Sequence, residues 1–218
     1  NKNQNSFKNI IEKNSEKFNY QFKNYELNYL NRVNKNEVVE IIDKYLNQSI
    51  FLIPLDEISN AIQNLKWVKN VKLSTNLKNT IKVDITEYKP IGLVFFNDQL
   101  FYFSADGDII DLHIKKSNEN FIIFYGSQIL KNAKNFINII SNIKNESMPV
   151  IIEAHYINNR RWDIKLNNNI IIYLSEKNIE GSISNYIKLI EKFDTSMISS
   201  IKYVDLRNYE KAIIGFNK

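Results

Sequence analysis

Apolar residues recur along this chain with two different periods, and the alternation between them outlines its organisation. Residues 1–18 are polar apart from Phe7, Ile10, Ile11 and Phe18, a pattern that predicts a short helix or a frayed lead-in. Rough alternation from Phe22 through Tyr25, Leu27 and Tyr29 to Val33 predicts a strand. The period then lengthens: Val38, Ile41, Ile42 and Tyr45 fall at helical spacing behind a cap at Asn34 or Asn36. After Pro54 a second helix opens with Asp56 and Glu57 in its first turn and turns Ile58, Ala61, Ile62 and Leu65 inward. Period two returns in Val71, Leu73 and Thr75, and after a turn at 77–79 in Ile81, Val83 and Ile85. These runs predict a hairpin with one wet face. Ile81, Val83 and Ile85 are expected to face Val38, Ile41, Ile58 and Ile62 of the two helices.

Beyond Tyr88-Lys89-Pro90 the pattern changes to short strands near 91–97, 100–105, 109–112 and 120–125, with a turn in "SADGD". A helix follows at 128–143, with Ile129, Ala133, Phe136, Ile137 and Ile140 on one face. Three more strands lie near 150–157, 161–166 and 170–175, and a helix at 178–193 presents Ile183, Tyr186, Ile187, Ile190 and Phe193. The chain closes on "YVDLRNYEKAIIGF", two strands near 201–207 and 211–216. The fold class is therefore α+β. A β-α-α-β-β domain precedes a mostly antiparallel sheet with two packed helices, and the divisions are 1–18, 19–89 and 90–218.

The two terminal strands differ in kind. Tyr203, Asp205 and Arg207 share one face and Val204 and Leu206 the other, so Asp205 and Arg207 are expected to hold each other or a turn. In 211–216, Lys211 is the only charge, and no later strand can cover the last one. It either closes the core or forms a sheet edge to which a partner strand adds, and the edge is the favoured reading.

Composition narrows the function classes. The chain has 218 residues, 44% hydrophobic, with 12 Tyr and 13 Phe, enough to fill a core rather than remain disordered. Its net charge is +5, but the cations are dispersed among acids, which argues against a nucleic-acid patch and equally suits a position beside an anionic membrane. There are no cysteines, so disulfides and Cys-ligated metals are excluded. No apolar run reaches about 18 residues, so neither a membrane-spanning helix nor a signal peptide is expected within these residues. The chain opens on Asn1-Lys2-Asn3 rather than Met, as an excised fragment would, and any anchor is expected upstream.

Catalytic and cofactor signals are lacking. His113 and His155 stand beside no carboxylate set or HExxH pattern, five dispersed glycines cannot build a phosphate loop, and no nucleophile elbow exists. No metal, no cofactor and no catalytic residue is expected. Basic residues beside Trp67 and Trp162 admit a single-stranded nucleic-acid platform through Arg160, Arg161 and Trp162. Both tryptophans fit better as core fillers, with Arg161 pointing outward.

One stretch carries a resemblance. In "LKWVKNVKLSTNLKNTIKVDITEYKPIGLV" (65–94), Trp67, Val68, Glu87, Pro90 and Ile91 are similar to the helix end, cationic strand and Glu-x-x-Pro ending of a POTRA domain. "FSADGDII" (103–110), "NNRRWDIKLNNNIIIYL" (158–174) and the terminal "YVDLR" with Gly215-Phe216 follow in order. Together they resemble the FtsQ/DivIB family of cell-division proteins. The chain departs from it at Asn31 or Arg32, where many members have Gly, and at Phe216, where many have Trp.

The resemblance implies a non-enzymatic scaffold of the bacterial divisome, binding FtsB, FtsL and other division proteins and linking them to septal peptidoglycan synthesis. It implies residues 1–18 as a juxtamembrane lead-in, 19–89 as the POTRA domain and 90–218 as a partner-binding β domain. This chain would lie in the periplasm, held to the inner membrane by one upstream helix, with no nucleic-acid partner. The expected partner-binding residues are Arg161, Arg207, Asn208, Tyr209, Lys211, Ala212, Ile213, Ile214, Gly215 and Phe216. The alternative is a POTRA-containing subunit of an outer-membrane assembly or secretion system.

Overall fold

Alternation in the hairpin decides the first half of the molecule. β2 (Val68–Thr75) and β3 (Thr80–Glu87) pair antiparallel, and β1 (Asn24–Leu27) joins β3 in parallel, giving the order β1-β3-β2. The computed structural model describes residues 2–113, 119–143, 148–208 and 210–217. Its chain divides into two units, Asn1–Tyr88 and Lys89–Lys218.

A parallel β1–β3 pair needs a crossover, which α2 (Lys35–Asp43) and α3 (Leu55–Gln63) supply. Ile81, Val83 and Ile85 are buried as expected, together with Val38, Ile42, Ile58 and Ile62. Ile41 is only half-buried and Ala61 is exposed, because Val38/Ile42 and Ile58/Ile62, each at i and i+4, form the inner faces. Asn34 caps α2 by accepting from the Asn36 N–H at 3.0 Å. α1 (Lys2–Lys17) is docked on this unit: the Ser15 and Ser49 hydroxyls meet at 2.6 Å, and Glu12 accepts from the Ser49 N–H.

The first strand is shorter than its alternation suggests. At Asn28 the side chain accepts from the Ile85 N–H at 2.7 Å and donates to the Ile85 carbonyl at 2.9 Å, so it completes the ladder where the backbone turns away. Glu87 gives the Glu-x-x-Pro pattern a physical meaning. Its carboxylate accepts from the backbone N–H groups of Asn31, Arg32 and Val33, which ties the loop after β1 to the end of β3. Trp67 is buried, with the Arg32 guanidinium 4.5 Å from its ring.

The second unit is a nine-stranded mixed sheet of order β12-β11-β10-β9-β8-β7-β4-β5-β6. Its strands are β4 (Pro90–Phe96), β5 (Gln99–Ser104), β6 (Ile109–Leu112), β7 (Ile123–Tyr125), β8 (Ile151–Ile157), β9 (Arg161–Leu166), β10 (Ile171–Tyr173), β11 (Ile201–Asp205) and β12 (Ile213–Phe216). Most neighbours are antiparallel, but β4–β7, β7–β8 and β10–β11 are parallel. The last two are linked through α4 (Ile129–Asn142) and through α5 (Ile179–Ile190) with α6 (Thr195–Ser200). The sequence did not indicate α6; it rests on Asp194, whose carboxylate accepts from the Met197 N–H at 2.8 Å.

α4 and α5 bury Ile129, Ala133, Phe136, Ile183 and Tyr186 in one core with Phe103, Phe124, Trp162, Ile164, Leu166, Ile172 and Val204. Trp162 stacks on Phe136 with centroids 4.3 Å apart and meets Phe124 edge-on at 5.9 Å. Both tryptophans are thus core fillers. Strand alternation sends Arg161, Asp163, Lys165, Tyr173, Tyr203 and Asp205 to the opposite, helix-free face.

Candidate functional site

The chain ends on the outermost strand of this sheet. β12 pairs antiparallel with β11, Ile201 facing Phe216, Tyr203 facing Gly215, Val204 facing Ile214 and Asp205 facing Ile213. Among the described residues no strand pairs with its other side. Ile214 packs on the core, which fixes the strand's register. Ile213 and Phe216 are 55% and 49% exposed. Of the residues expected at the site, Ile213, Ile214, Gly215 and Phe216 therefore lie on the edge strand, whereas Arg161 lies on β9 within the sheet.

A Cβ at Gly215 would overlap the Tyr203 ring, so the tyrosine occupies the space of the missing side chain and would have to move for any larger residue. The strand is shorter than the expected 211–216. Lys211 and Ala212 lie in the preceding turn, where the Lys211 N–H donates to the Asn208 carbonyl at 3.0 Å and the Glu210 N–H to Asn208 Oδ1 at 3.2 Å. The strand proper therefore carries no charge. Asn208 is exposed in that turn, and Tyr209 lies outside the described residues.

Both expected arginines are held by an aspartate two residues away. Arg207 donates from Nη2 to Asp205 Oδ2 at 2.6 Å and from Nε to both carboxylate oxygens at 3.0 Å, and its backbone N–H reaches Oδ1 at 3.0 Å. These side-chain hydrogen bonds are the largest cause holding the Asp205 carboxyl below its usual range. Burial opposes them, while the Arg207 N–H and the charges of Arg207 and Arg161 add to them. The same pair raises Arg207. Arg161 donates from Nε and Nη2 to Asp163 at 3.2 and 3.3 Å. It differs in access: its side chain is 22% exposed and that of Arg207 is 58% exposed.

The register aligns a row across the helix-free face: Tyr125, His155, Asp163, Tyr173, Asp205 and Ile213 on six successive strands. Beside it lie Glu153, Lys165, Ile171, Tyr203 and Gly215. Tyr173 and Tyr203 rings are 5.6 Å apart, and a cleft of about 350 Å³ opens between Glu153, His155, Asp163, Lys165, Ile171 and Tyr173. Lys165 and His155 both reach Glu153, at 2.9 and 3.1 Å. The contacts of Lys165 and His155 lower the Glu153 carboxyl against its burial, the largest single influence. Asp163, Tyr173 and Tyr203 were absent from the expected site, although strand alternation from Arg161 places Asp163 beside it. Among the described residues no three His, Asp or Glu side chains gather as metal ligands.

Three strands backed by two helices, followed by a nine-stranded mixed sheet, give the architecture of a POTRA domain ahead of a sheet domain. The family model for "POTRA domain, FtsQ-type" matches residues 23–88, and that for "Cell division protein FtsQ/DivIB, C-terminal" matches residues 94–207. The chain belongs to the FtsQ/DivIB family of cell-division proteins. It is 28% identical over 207 residues to the cell division protein FtsQ of Rickettsia typhi, covering 91% of this chain and 73% of that protein. To the protein of the same name in Vibrio cholerae it is 24% identical over 200 residues, covering 88% and 72%.

Proposed function

We propose that this chain is a non-enzymatic scaffold of the bacterial divisome that binds FtsB and FtsL through β12 and the adjoining residues of the helix-free face. Residues 19–89 act as the POTRA domain and 90–218 as the partner-binding domain, which links those proteins and other divisome components to septal peptidoglycan synthesis. The chain works on the periplasmic side of the inner membrane, attached by a single span outside residues 1–218. The compartment and the partners rest on family membership. Among the described residues no helix is long and apolar enough to cross a membrane.

The observation that carries the reading is the open β12 edge. An unpaired row of N–H and C=O groups accepts a strand by backbone pairing, and the exposed Phe216 offers an aromatic anchor beside it. An acidic partner segment would find Arg207, which keeps donor capacity toward solvent while it holds Asp205.

Calorimetric titration of residues 1–218 with an FtsB peptide tests it. Phe216→Ala and truncation after Glu210 are each expected to reduce binding by about a hundredfold or more, since hot-spot aromatics and the pairing surface are lost. The truncated chain is expected to melt cooperatively, because β11 and the core beneath it remain. Binding undiminished by both changes would refute the proposal.

A further inference from the structure

The N-terminal helix carries a surface that the division reading does not use. α1 is pinned to its unit on one side only, through Ser15 to Ser49 and Glu12 to the Ser49 N–H, with Ile11 half-buried between. Its other side leaves Phe7 66%, Ile10 55% and Phe18 60% exposed, large side chains that a soluble unit would gain by covering. At ~100° per residue, Phe7, Ile10 and Phe18 fall within an arc of about 80°, and the one polar side chain described within it, Asn14, is turned back to donate to the Ile10 carbonyl at 2.8 Å. The Phe18 N–H still bonds the Asn14 carbonyl at 3.0 Å, so the stripe continues past the helix end.

Charge is sorted around the same helix. Lys13 and Lys17, both exposed, follow directly on the solvent side of the stripe, and the Lys17 ammonium lies 5.5 Å from the centre of the Phe18 ring. Glu16 lies beyond the lysines, and Glu12 is turned to the protein. An apolar stripe bordered by cations, with acids kept to the far side, is complementary to a surface that is apolar below and anionic above. That combination describes a lipid interface, where aromatic and aliphatic side chains enter the acyl boundary and ammonium groups meet phosphates. A protein partner would have to supply the same layered chemistry.

We propose that α1 is an interfacial helix that lays Phe7, Ile10 and Phe18 into an anionic lipid surface, with Lys13 and Lys17 at the headgroups. This contact is separate from any membrane span and from the β12 edge, so it stands or falls independently of partner binding. The test is co-sedimentation of residues 1–218 with phosphatidylglycerol/phosphatidylcholine vesicles and with pure phosphatidylcholine vesicles. Binding is expected on the anionic vesicles and is expected to weaken in high salt. It should fall more than about tenfold in Phe7→Ser/Ile10→Ser and several-fold in Lys13→Gln/Lys17→Gln. The melting midpoint should be unchanged, because all four side chains are exposed. Phe7→Trp should shift its emission to the blue on anionic vesicles alone.

Three results would overturn the proposal. One is no binding to anionic vesicles. Another is binding that responds to the lysines but not to Phe7 and Ile10, which is charge attraction without insertion. The last is a lipid-free dimer dissolved by Phe7→Ser/Ile10→Ser, which would assign the stripe to a second copy of the chain.

Discussion

Two sheet edges in this molecule are built in opposite ways. β2 borders the three-stranded sheet and is eight residues long, a length that would template unwanted pairing. It carries Lys69 and Lys72 facing solvent and a register irregularity between Val68 and Asn70. Lysines and bulges are the usual guards of an exposed strand. β12 borders the nine-stranded sheet with four residues, Ile213–Phe216, none of them charged and two of them large, apolar and about half exposed. Lys211 stands back in the turn before it. One edge strand carries charged guards and the other has none, although the pairing of β12 with β11 is also irregular, between Ile201 and Tyr203. An unguarded apolar edge is consistent with use, and its shortness limits accidental pairing until a specific strand arrives.

The harshest way to probe this contrast is to destroy the sheet that bears β2. Val83 is fully buried at the centre of β3, so Val83→Asp places an unpaired carboxylate in a core with nothing to receive it. A loss of about 4 kcal/mol or more is expected, enough to unfold residues 19–88. Urea titration should show the first transition vanish while FtsB-peptide binding at β12 persists. Unchanged melting would refute the core assignment, and lost binding would show that the two edges do not act separately.

A smaller effect is expected at the turn that presents β12. Asp205→Asn removes the charge that holds the solvent-exposed Arg207 and costs no more than about 1 kcal/mol at neutral pH, because water screens the pair. The Asp205 pKa is depressed in the folded chain, so its stabilisation is complete above the unfolded value of about 3.9 and fades as pH falls through the folded value. Urea melts at pH 7, 4 and 3 should therefore show the gap between wild type and variant narrowing on acidification. A gap independent of pH would mean that the pair does not hold the turn.

Much of the frame was legible because burial imposes a period. Ile81, Val83 and Ile85 announced a strand, and the α4 and α5 faces announced helices, since one side of each must leave water. The features that escaped depend on side chains substituting for backbone or on pairings distant in sequence. Asn28 ends β1 early by completing its ladder, and nothing in its local pattern distinguishes it from the many other asparagines. α6 is too short for a period and rests on the Asp194 cap. The parallel pairing of β7 with β8 depends on α4 crossing over the sheet, which alternation within either strand cannot reveal. At the site, the strand order has β12 outermost, as the edge reading of 211–216 expects. The partners of Arg161 and Arg207 divide instructively: Asp205 was read from its spacing, whereas Asp163 was overlooked at the same spacing. Glu87 was legible only as part of a resemblance until its three backbone partners explained it.

The finest test exchanges the guards between the two edges. Ile213 is exposed and faces Asp205 across the ladder, so Ile213→Lys would set a cation beside that carboxylate on the helix-free face. Opposite charges directly across strands are compatible with pairing, and stability should move by no more than about 0.5 kcal/mol. An incoming strand, however, would lose apolar contact at Ile213 and would have to pass a hydrated ammonium, so FtsB-peptide affinity should fall about tenfold. The reciprocal change, Lys72→Ile, removes a guard from β2 opposite Asp84. It should leave stability and peptide binding as they were and increase concentration-dependent aggregation, followed by light scattering. If Ile213→Lys binds the peptide as tightly as wild type, the apolar character of the β12 edge is not what receives the strand. If Lys72→Ile stays as soluble as wild type, that lysine does not guard β2.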